Sequence, residues 1–268
     1  MDVRGVIFDV DGTLVRGDEP LPGATAGLDA VAAAGLRRLF VSNNPTKPPE
    51  AYEARLARAG IRADADEVLT AGTVTARYLS DHHPEDPIAV VGEPGLVDLL
   101  SEAGLSVERI APDGSLEIDP EVLVASLDRE FGYETLRACL DLLEDRDVAF
   151  VGTDPDVVIP AADGDVPGSG AVVDAIANVA GREPSAVLGK PSEPAREMAL
   201  DRIGLPPEEV LVVGDRLDTD IALGARSGMT TALVTTGVTD DGDLASAPIS
   251  PDYVLDTLAE LESVLADV

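Results

Sequence analysis

Two acids separated by a single residue, at the end of an apolar run, limit what this chain can fold into. Residues 5–14 read GVIFDVDGTL: Val6, Ile7 and Phe8 lead unbroken into Asp9, Val10 intervenes, Asp11 follows, and Gly12-Thr13 turns the backbone. A short apolar run bounded by turn residues predicts a strand buried on both faces, as in the middle of a parallel sheet. Carboxylates held together where such a strand ends repel one another and raise one pKa. A divalent cation with hard oxygen ligands relieves that cost most simply. A plain Asp-Gly turn would account for Asp11 and Gly12, yet it leaves Asp9 unexplained.

Three further runs are read as strands ending the same way. RRLFVSNN (37–44) stops at Ser42, Asn43 and Asn44, whose hydroxyl, amides and backbone N–H groups can donate to an anion. A helix starting near Pro49 would add its positive end, although Ser-Asn-Asn-Pro alone also fits a turn with a helix cap. SAVLGKPS (185–192) is expected to be a short strand ending in Lys190, one of two lysines in the chain with Lys47. A compact ammonium there suits a point contact to phosphate. EEVLVVGDRLDTDI (208–221) runs through an apolar stretch into Gly214-Asp215, with Asp218 and Asp220 shortly after. In open α/β sheets, ligands bind beyond the carboxyl ends of the strands, at a topological switch point. The four ends together offer a nucleophilic carboxylate, a second acid for proton transfer, a metal ligand and donors for an anion.

Composition narrows the function further. Acidic residues number 51 against 19 basic ones, a formal net charge of -32, and they are spread along the whole chain. That excludes an acidic tail for a basic partner and argues against nucleic-acid binding, which needs basic patches. Self-repulsion of this size destabilises a compact state in dilute buffer, so strong salt screening is expected, and the composition resembles the proteome of a salt-accumulating halophile. No apolar stretch approaches the span of a membrane helix and the N-terminus lacks a signal-peptide pattern, so a cytoplasmic protein without membrane partners is expected. Cys139, the single cysteine, rules out an internal disulfide framework and is expected to be a small buried residue.

At 268 residues one large domain or two are compatible with the length. LVRGDEPLPGA (14–24) carries the turn chemistry of a small flap, helical patterns cover 24–34 and 48–60, and EVLTAGTVTARYL (67–79) reads as a strand end followed by another helix. DHHPEDP (81–87) breaks the rhythm and reads as a hinge, with His82 and His83 solvated rather than paired on a metal. From 88 to about 180 strands and helices alternate anew, which predicts a parallel or mixed sheet with its own core. The expected class is α/β: a Rossmann-like parallel-sheet core over 1–80 and 182–268, with an α/β cap inserted over 81–181. Within the cap, the loop GTDPDVVIP (152–160) places Asp154 and Asp156 either on a ligand-facing rim or in an ordinary turn. PGSGA (167–171) opens a helix as a hinge or cap; the third glycine of a dinucleotide loop is missing.

Asp9-Val-Asp11-Gly12-Thr13, Ser42-Asn43-Asn44, Lys190-Pro191 and Gly214-Asp215-Arg216-Leu217-Asp218-Thr219-Asp220 resemble the four motifs of the haloacid dehalogenase superfamily. The segment between the second and third motifs is similar to the large α/β cap of its NagD-like, 4-nitrophenylphosphatase branch, and the likeness extends through PGSGA to the closing PDYVLDTLAEL. One departure is Asp154, where the branch more often carries Asn. The resemblance implies a phosphatase in which Asp9 attacks phosphorus and Asp11 is the general acid and base. It implies Mg²⁺ held by the Asp9 side chain, the Asp11 backbone carbonyl and Asp215, with Ser42, Asn43, Asn44 and Lys190 binding the phosphoryl group. Asp220 and Asp218 would stand behind these, Asp220 orienting Lys190 or the metal's waters, and Asp154 and Asp156 would contribute to substrate choice in the cap. The implied partner is a small phosphate ester, of the sugar phosphate, glycerol phosphate, phosphoglycolate or nucleotide class, and relatives commonly dimerise through their caps. A phosphotransferase or phosphomutase shares the first half-reaction, and a non-catalytic Mg²⁺ and phosphate-binding module could use the same acids. A dehalogenase would need neither Asp11 nor Asp215.

Overall fold

The computed structural model describes residues 3–144, 147–159, 164–239, 242, 244 and 247–267. From β1 (Gly5–Asp9) the chain folds through a hairpin of β2 (Val15–Arg16) and β3 (Glu19–Pro20) into α1 (Ala24–Ala33). Next come β4 (Arg37–Ser42), α2 (Pro49–Arg58), β5 (Val68–Thr70) and α3 (Ala71–His82). A second series runs through β6 (Ile88–Val91), α4 (Pro94–Glu102), β7 (Val107–Arg109), β8 (Val122–Ala125) and α5 (Tyr133–Leu143). It continues with β9 (Ala149–Gly152), β10 (Val158–Ile159), β11 (Val166–Pro167), α6 (Ser169–Ala180) and β12 (Ala186–Val187). The last stretch holds α7 (Glu193–Ile203), β13 (Val210–Gly214), a π turn at Leu217–Ile221 and α8 (Ala222–Ser227). β14 (Thr230–Val234), β15 (Tyr253–Leu255) and α9 (Leu261–Asp267) close the chain. Pro160, at the end of the GTDPDVVIP loop, lies outside the described residues.

The chain divides into two compact units: Met1–Ser42 with Pro49–Leu69 and Lys190–Val268, and Asn43–Pro48 with Thr70–Gly189. The boundaries expected at 80/81 and 181/182 fall within the second of these, because α3 packs on α4 and β12 pairs with β9.

The first unit is built on a six-stranded sheet of order β15-β14-β13-β1-β4-β5. Pairings from β15 across to β4 are parallel. Successive strands step outward from β1 on one side and from β13 on the other, so the switch point lies between these two neighbours. β1 is buried along its whole length, as an apolar run in a sheet covered on both faces requires. Val6 and Phe8 join the cluster formed with Phe40, Tyr52, Leu56, Leu211, Val213, Leu258 and Leu261. Phe8 stacks on Phe40 at 6.1 Å between ring centres, a sizeable share of the burial in a chain with four phenylalanines. On the opposite face α7 packs against the sheet. A side chain at Gly5 would meet Leu205 and Ile203 at 2.6 and 2.8 Å, which is why this strand opens on glycine.

The second unit has a five-stranded sheet of order β12-β9-β8-β6-β7, parallel throughout. Its core gathers Ala89, Val91, Leu123, Ala125, Phe150, Leu143 and Ile176 around Cys139. Burial pushes that thiol up to about 12, so it is inert at neutral pH. SAVLGKPS does not form a strand of the sheet that carries Asp9; β12 is two residues long and lies at the edge of the second unit's sheet. Ser185 N–H donates to Phe150 O and Leu188 N–H to Gly152 O, extending the β9 ladder. Lys190 therefore comes from the turn before α7. Among the described residues no helix is long and apolar enough to cross a membrane.

Candidate active site

Parallel pairing of Phe8 with Val213 brings the ends of β1 and β13 side by side, so Asp9 and Asp215 leave the sheet as neighbours. The Asp215 carboxylate is fixed from several directions. Its Oδ2 accepts from Val238 N–H at 2.8 Å, its Oδ1 from Thr13 Oγ1 at 3.4 Å, and its backbone carbonyl from Thr239 Oγ1 at 2.6 Å. A methyl group at Gly12, which stands at φ +96°, or at Gly237 would overlap that carboxylate. The close approach explains both glycines. Directly after Asp215 the π turn, a geometry often found at functional sites, carries Asp220 back beneath the strand end. Asp220 Oδ2 accepts from Arg216 N–H at 3.1 Å.

Lys190 ties the cluster together. Its Nζ donates to Asp9 Oδ1 at 2.6 Å, to Asp220 Oδ1 at 2.7 Å and to Val41 O, near the end of β4, at 2.9 Å. Lys190 is 3% exposed, Asp220 1% and Asp215 0%, so none of this charge is screened by water. Burial pushes the lysine's pKa down, but Asp220 and Asp9 outweigh it and hold the ammonium charged. Burial, together with Asp220 and Asp215, raises the Asp9 carboxyl well above its usual range against the pull of Lys190. Asp215 is lifted to about 6 by burial and by Asp220.

Asp9, Asp215 and Asp220 each offer a carboxylate oxygen, all within 4.8 Å of one another. Asp9 Oδ2 is buried without a hydrogen-bond partner. Three carboxylates against one ammonium leave a buried excess of negative charge, and that set of hard oxygens fits a small divalent cation.

A model of the haloacid dehalogenase-like hydrolases matches residues 6–106, and one described as HAD-hydrolase-like matches residues 187–261. An acid sugar phosphatase from Staphylococcus epidermidis is 35% identical over 263 residues, covering 97% of this chain and 98% of that protein. The chain is a haloacid dehalogenase-like hydrolase. Solved structures agree. A p-nitrophenyl phosphatase from Archaeoglobus fulgidus superposes with a TM-score of 0.87 at 34% identity, over 99% of this chain and all of that one. NagD from E. coli superposes with a TM-score of 0.82 at 29% identity, over 97% and 98% of the two chains. Membership of this family, together with relatives named as phosphatases, makes the molecule a phosphoric monoester hydrolase.

In this hydrolase Asp9, Lys190, Asp215 and Asp220 come together, and the side chain of Asp11 is held by residues of α2. Arg55 Nη2 donates to Asp11 Oδ1 at 2.7 Å, and the Tyr52 hydroxyl to its Oδ2 at 3.4 Å. Ser42 Oγ shares a 2.8 Å hydrogen bond with that same tyrosine hydroxyl. Asp218 is exposed and forks with Arg216 at 3.2 and 3.1 Å. Asn44 Oδ1 accepts from Thr46 N–H at 2.9 Å and Lys47 N–H at 3.1 Å, an Asx turn. The amino-acid order alone assigns no role in the site to Thr13, Tyr52, Arg55 or the loop after β14. TTALVTTG (230–237) also carries a strand pattern, and its end has the same claim on a ligand as those of β1 and β13.

Within the second unit, Asn43 Nδ2 donates to Asp156 Oδ1 at 3.4 Å. Asp154 is 1% exposed and accepts from Thr153 Oγ1 at 3.0 Å and Asp156 N–H at 3.2 Å. Burial, then the charge of Asp156, lifts its pKa to about 7. A group whose folded pKa is raised binds its proton more tightly in the folded state. Stability therefore falls as pH rises from the unfolded value, near 3.8, to about 7. Asp154→Asn keeps an acceptor and removes the charge. Above pH 7 it should stabilise the protein by about 1–3 kcal/mol, the gain fading toward pH 4. Urea unfolding of both proteins across that range checks this, and parallel pH profiles would refute it.

Proposed function

We propose that this hydrolase is a Mg²⁺-dependent phosphatase of small phosphate monoesters, working through an aspartyl-phosphate at Asp9. The observation that carries the reading is the buried, partnerless Oδ2 of Asp9, beside a carboxylate oxygen that Lys190 holds at 2.6 Å. One oxygen is anchored and the other is left to attack. In the first step Asp9 Oδ2 bonds to phosphorus, the ester P–O bond breaks, and Asp11 protonates the departing oxygen. In the second, water attacks the same phosphorus, Asp11 takes its proton, and phosphate leaves with Asp9 regenerated. The carboxylates of Asp9 and Asp215 and the Asp11 carbonyl would hold Mg²⁺, whose positive charge would offset the repulsion between nucleophile and phosphate. Lys190, with Ser42, Asn43 and Asn44, donates to phosphoryl oxygens, where pre-set donors contribute most. Asp220 fixes the lysine in line.

The names of the relatives, acid sugar phosphatase and p-nitrophenyl phosphatase, support the monoester class and put sugar phosphates first among physiological substrates. Phosphate release from sugar phosphates, glycerol phosphate, phosphoglycolate, nucleoside monophosphates and 4-nitrophenyl phosphate tests it, run at high KCl with and without Mg²⁺. Release that needs Mg²⁺ is expected; Mg²⁺ binding with no turnover on any ester would favour the binding-module alternative. Lys190→Ala should lower kcat/KM by about 10²–10³. It should also cost about 3–5 kcal/mol of stability by stranding buried carboxylates. Unchanged kcat and KM would remove the lysine from the mechanism.

A further inference from the structure

Arg55 is buried on α2 at 8% exposure, an expensive place for a permanently charged group. It is three residues after Tyr52 and so lies on the same helical face, with its guanidinium carbon 5.8 Å from the tyrosine ring centre. Its Nε and Nη2 donate to Gly17 O, in the β2–β3 turn, at 2.9 and 2.6 Å. Nη2 also holds Asp11 Oδ1, while Tyr52 reaches Oδ2. Both oxygens of the one site carboxylate that is half exposed (48% for its side chain) are thus gripped from a single helix face. No residue of that face belongs to the four motifs.

We infer that Arg55, with Tyr52 beside it, is a positioning residue that sets the carboxyl of Asp11 for proton transfer to the leaving oxygen. The inference rests on the reading of Asp11 as general acid. A guanidinium fork fixes direction as well as charge, which an ammonium cannot reproduce. The grip on Gly17 O ties the same guanidinium to the flap, so the acid and the flap turn share one anchor. If the role is to place the acid, its loss must scale with how much the leaving group needs a proton. Nitrophenolate departs without one; an alkoxide does not.

The test is Arg55→Lys, assayed as kcat/KM on 4-nitrophenyl phosphate and on an alkyl monoester such as glycerol phosphate. The alkyl value should drop by about 10²-fold or more and the nitrophenyl value by less than about 5-fold. Because the ratio is taken within one preparation, the folded fraction cancels. Mg²⁺ binding measured by calorimetry should match the wild type. An equal fall on both esters makes Arg55 a staple of the flap and overturns the inference, as does a ratio that changes only in step with weakened Mg²⁺ binding. Should Arg55→Lys fail to fold, Tyr52→Phe must shift the ratio the same way, and a ratio that stays put overturns the idea. A wild type inactive on both esters overturns the reading of the site and this inference with it. A wild type active on both, with an unmoved ratio in the variants, overturns the inference alone.

Discussion

Asp9→Asn should leave a folded protein whose hydrolysis of 4-nitrophenyl phosphate is down by about 10⁴-fold or more. The amide keeps the shape of the side chain and its contact with Lys190, but it has no anionic oxygen to attack phosphorus. The same change should help the metal-free fold. Three carboxylates crowd one ammonium in a buried site, and burial already raises the Asp9 carboxyl well above its usual range. Removing one charge takes away part of that repulsion, while Lys190 retains Asp220 and Val41 O as acceptors. In EDTA the Tm of Asp9→Asn should therefore match or exceed that of the wild type. Mg²⁺ at a hundred times its Kd should stabilise the wild type by about 2.7 kcal/mol and the variant by much less. Activity near the wild-type level would remove Asp9 as nucleophile; an undiminished Mg²⁺ effect on Tm would remove it as ligand. Loss of function combined with gain of stability is the signature of a residue kept for chemistry rather than for folding.

Lowering KCl from about 2 M to about 0.1 M should reduce the unfolding free energy by several kcal/mol. Over that range the screening length grows from a few ångströms to about 10 Å. Arginines on the surface are already paired, as in Arg4–Glu209, Arg58–Asp18, Arg77–Asp81 and Arg129–Glu93. With 51 acids to 19 basic residues, even complete pairing would leave most carboxylates without a basic partner. Exposed pairs are worth little individually, so the sum of like-charge repulsion decides. Sucrose should not substitute for the salt, since it strengthens burial without screening charge. A denaturation midpoint unmoved between the two salt levels, or rescued equally by sucrose, would contradict the argument.

The parts of the site that lie on regular strands were legible in the amino-acid order. An apolar run into Asp9 and another into Asp215 each define a strand and its exit, and parallel pairing makes those exits neighbours. Asp220 could be placed near Lys190 from the resemblance. What stayed hidden was anything set by tertiary register. Lys190 enters from a turn, not from a strand of the Asp9 sheet, because Ser185 and Leu188 prolong the β9 ladder in the second unit. Arg55 sits in the string EARLAR, which reads as a solvated helix face. That it is buried depends on where the flap lies, and no local pattern reports that. Asp154 was balanced between turn and rim; the structure shows it 1% exposed and held by Thr153, a placement its flanking residues do not announce.

Cys139 is packed inside the second unit with its thiol held protonated, and the chain has no second cysteine. The molecule is thereby a blank background for site-directed labelling. A cysteine introduced at Tyr133, which is 80% exposed at the start of α5, would take a dye or spin label alone, with no native thiol to engineer away first.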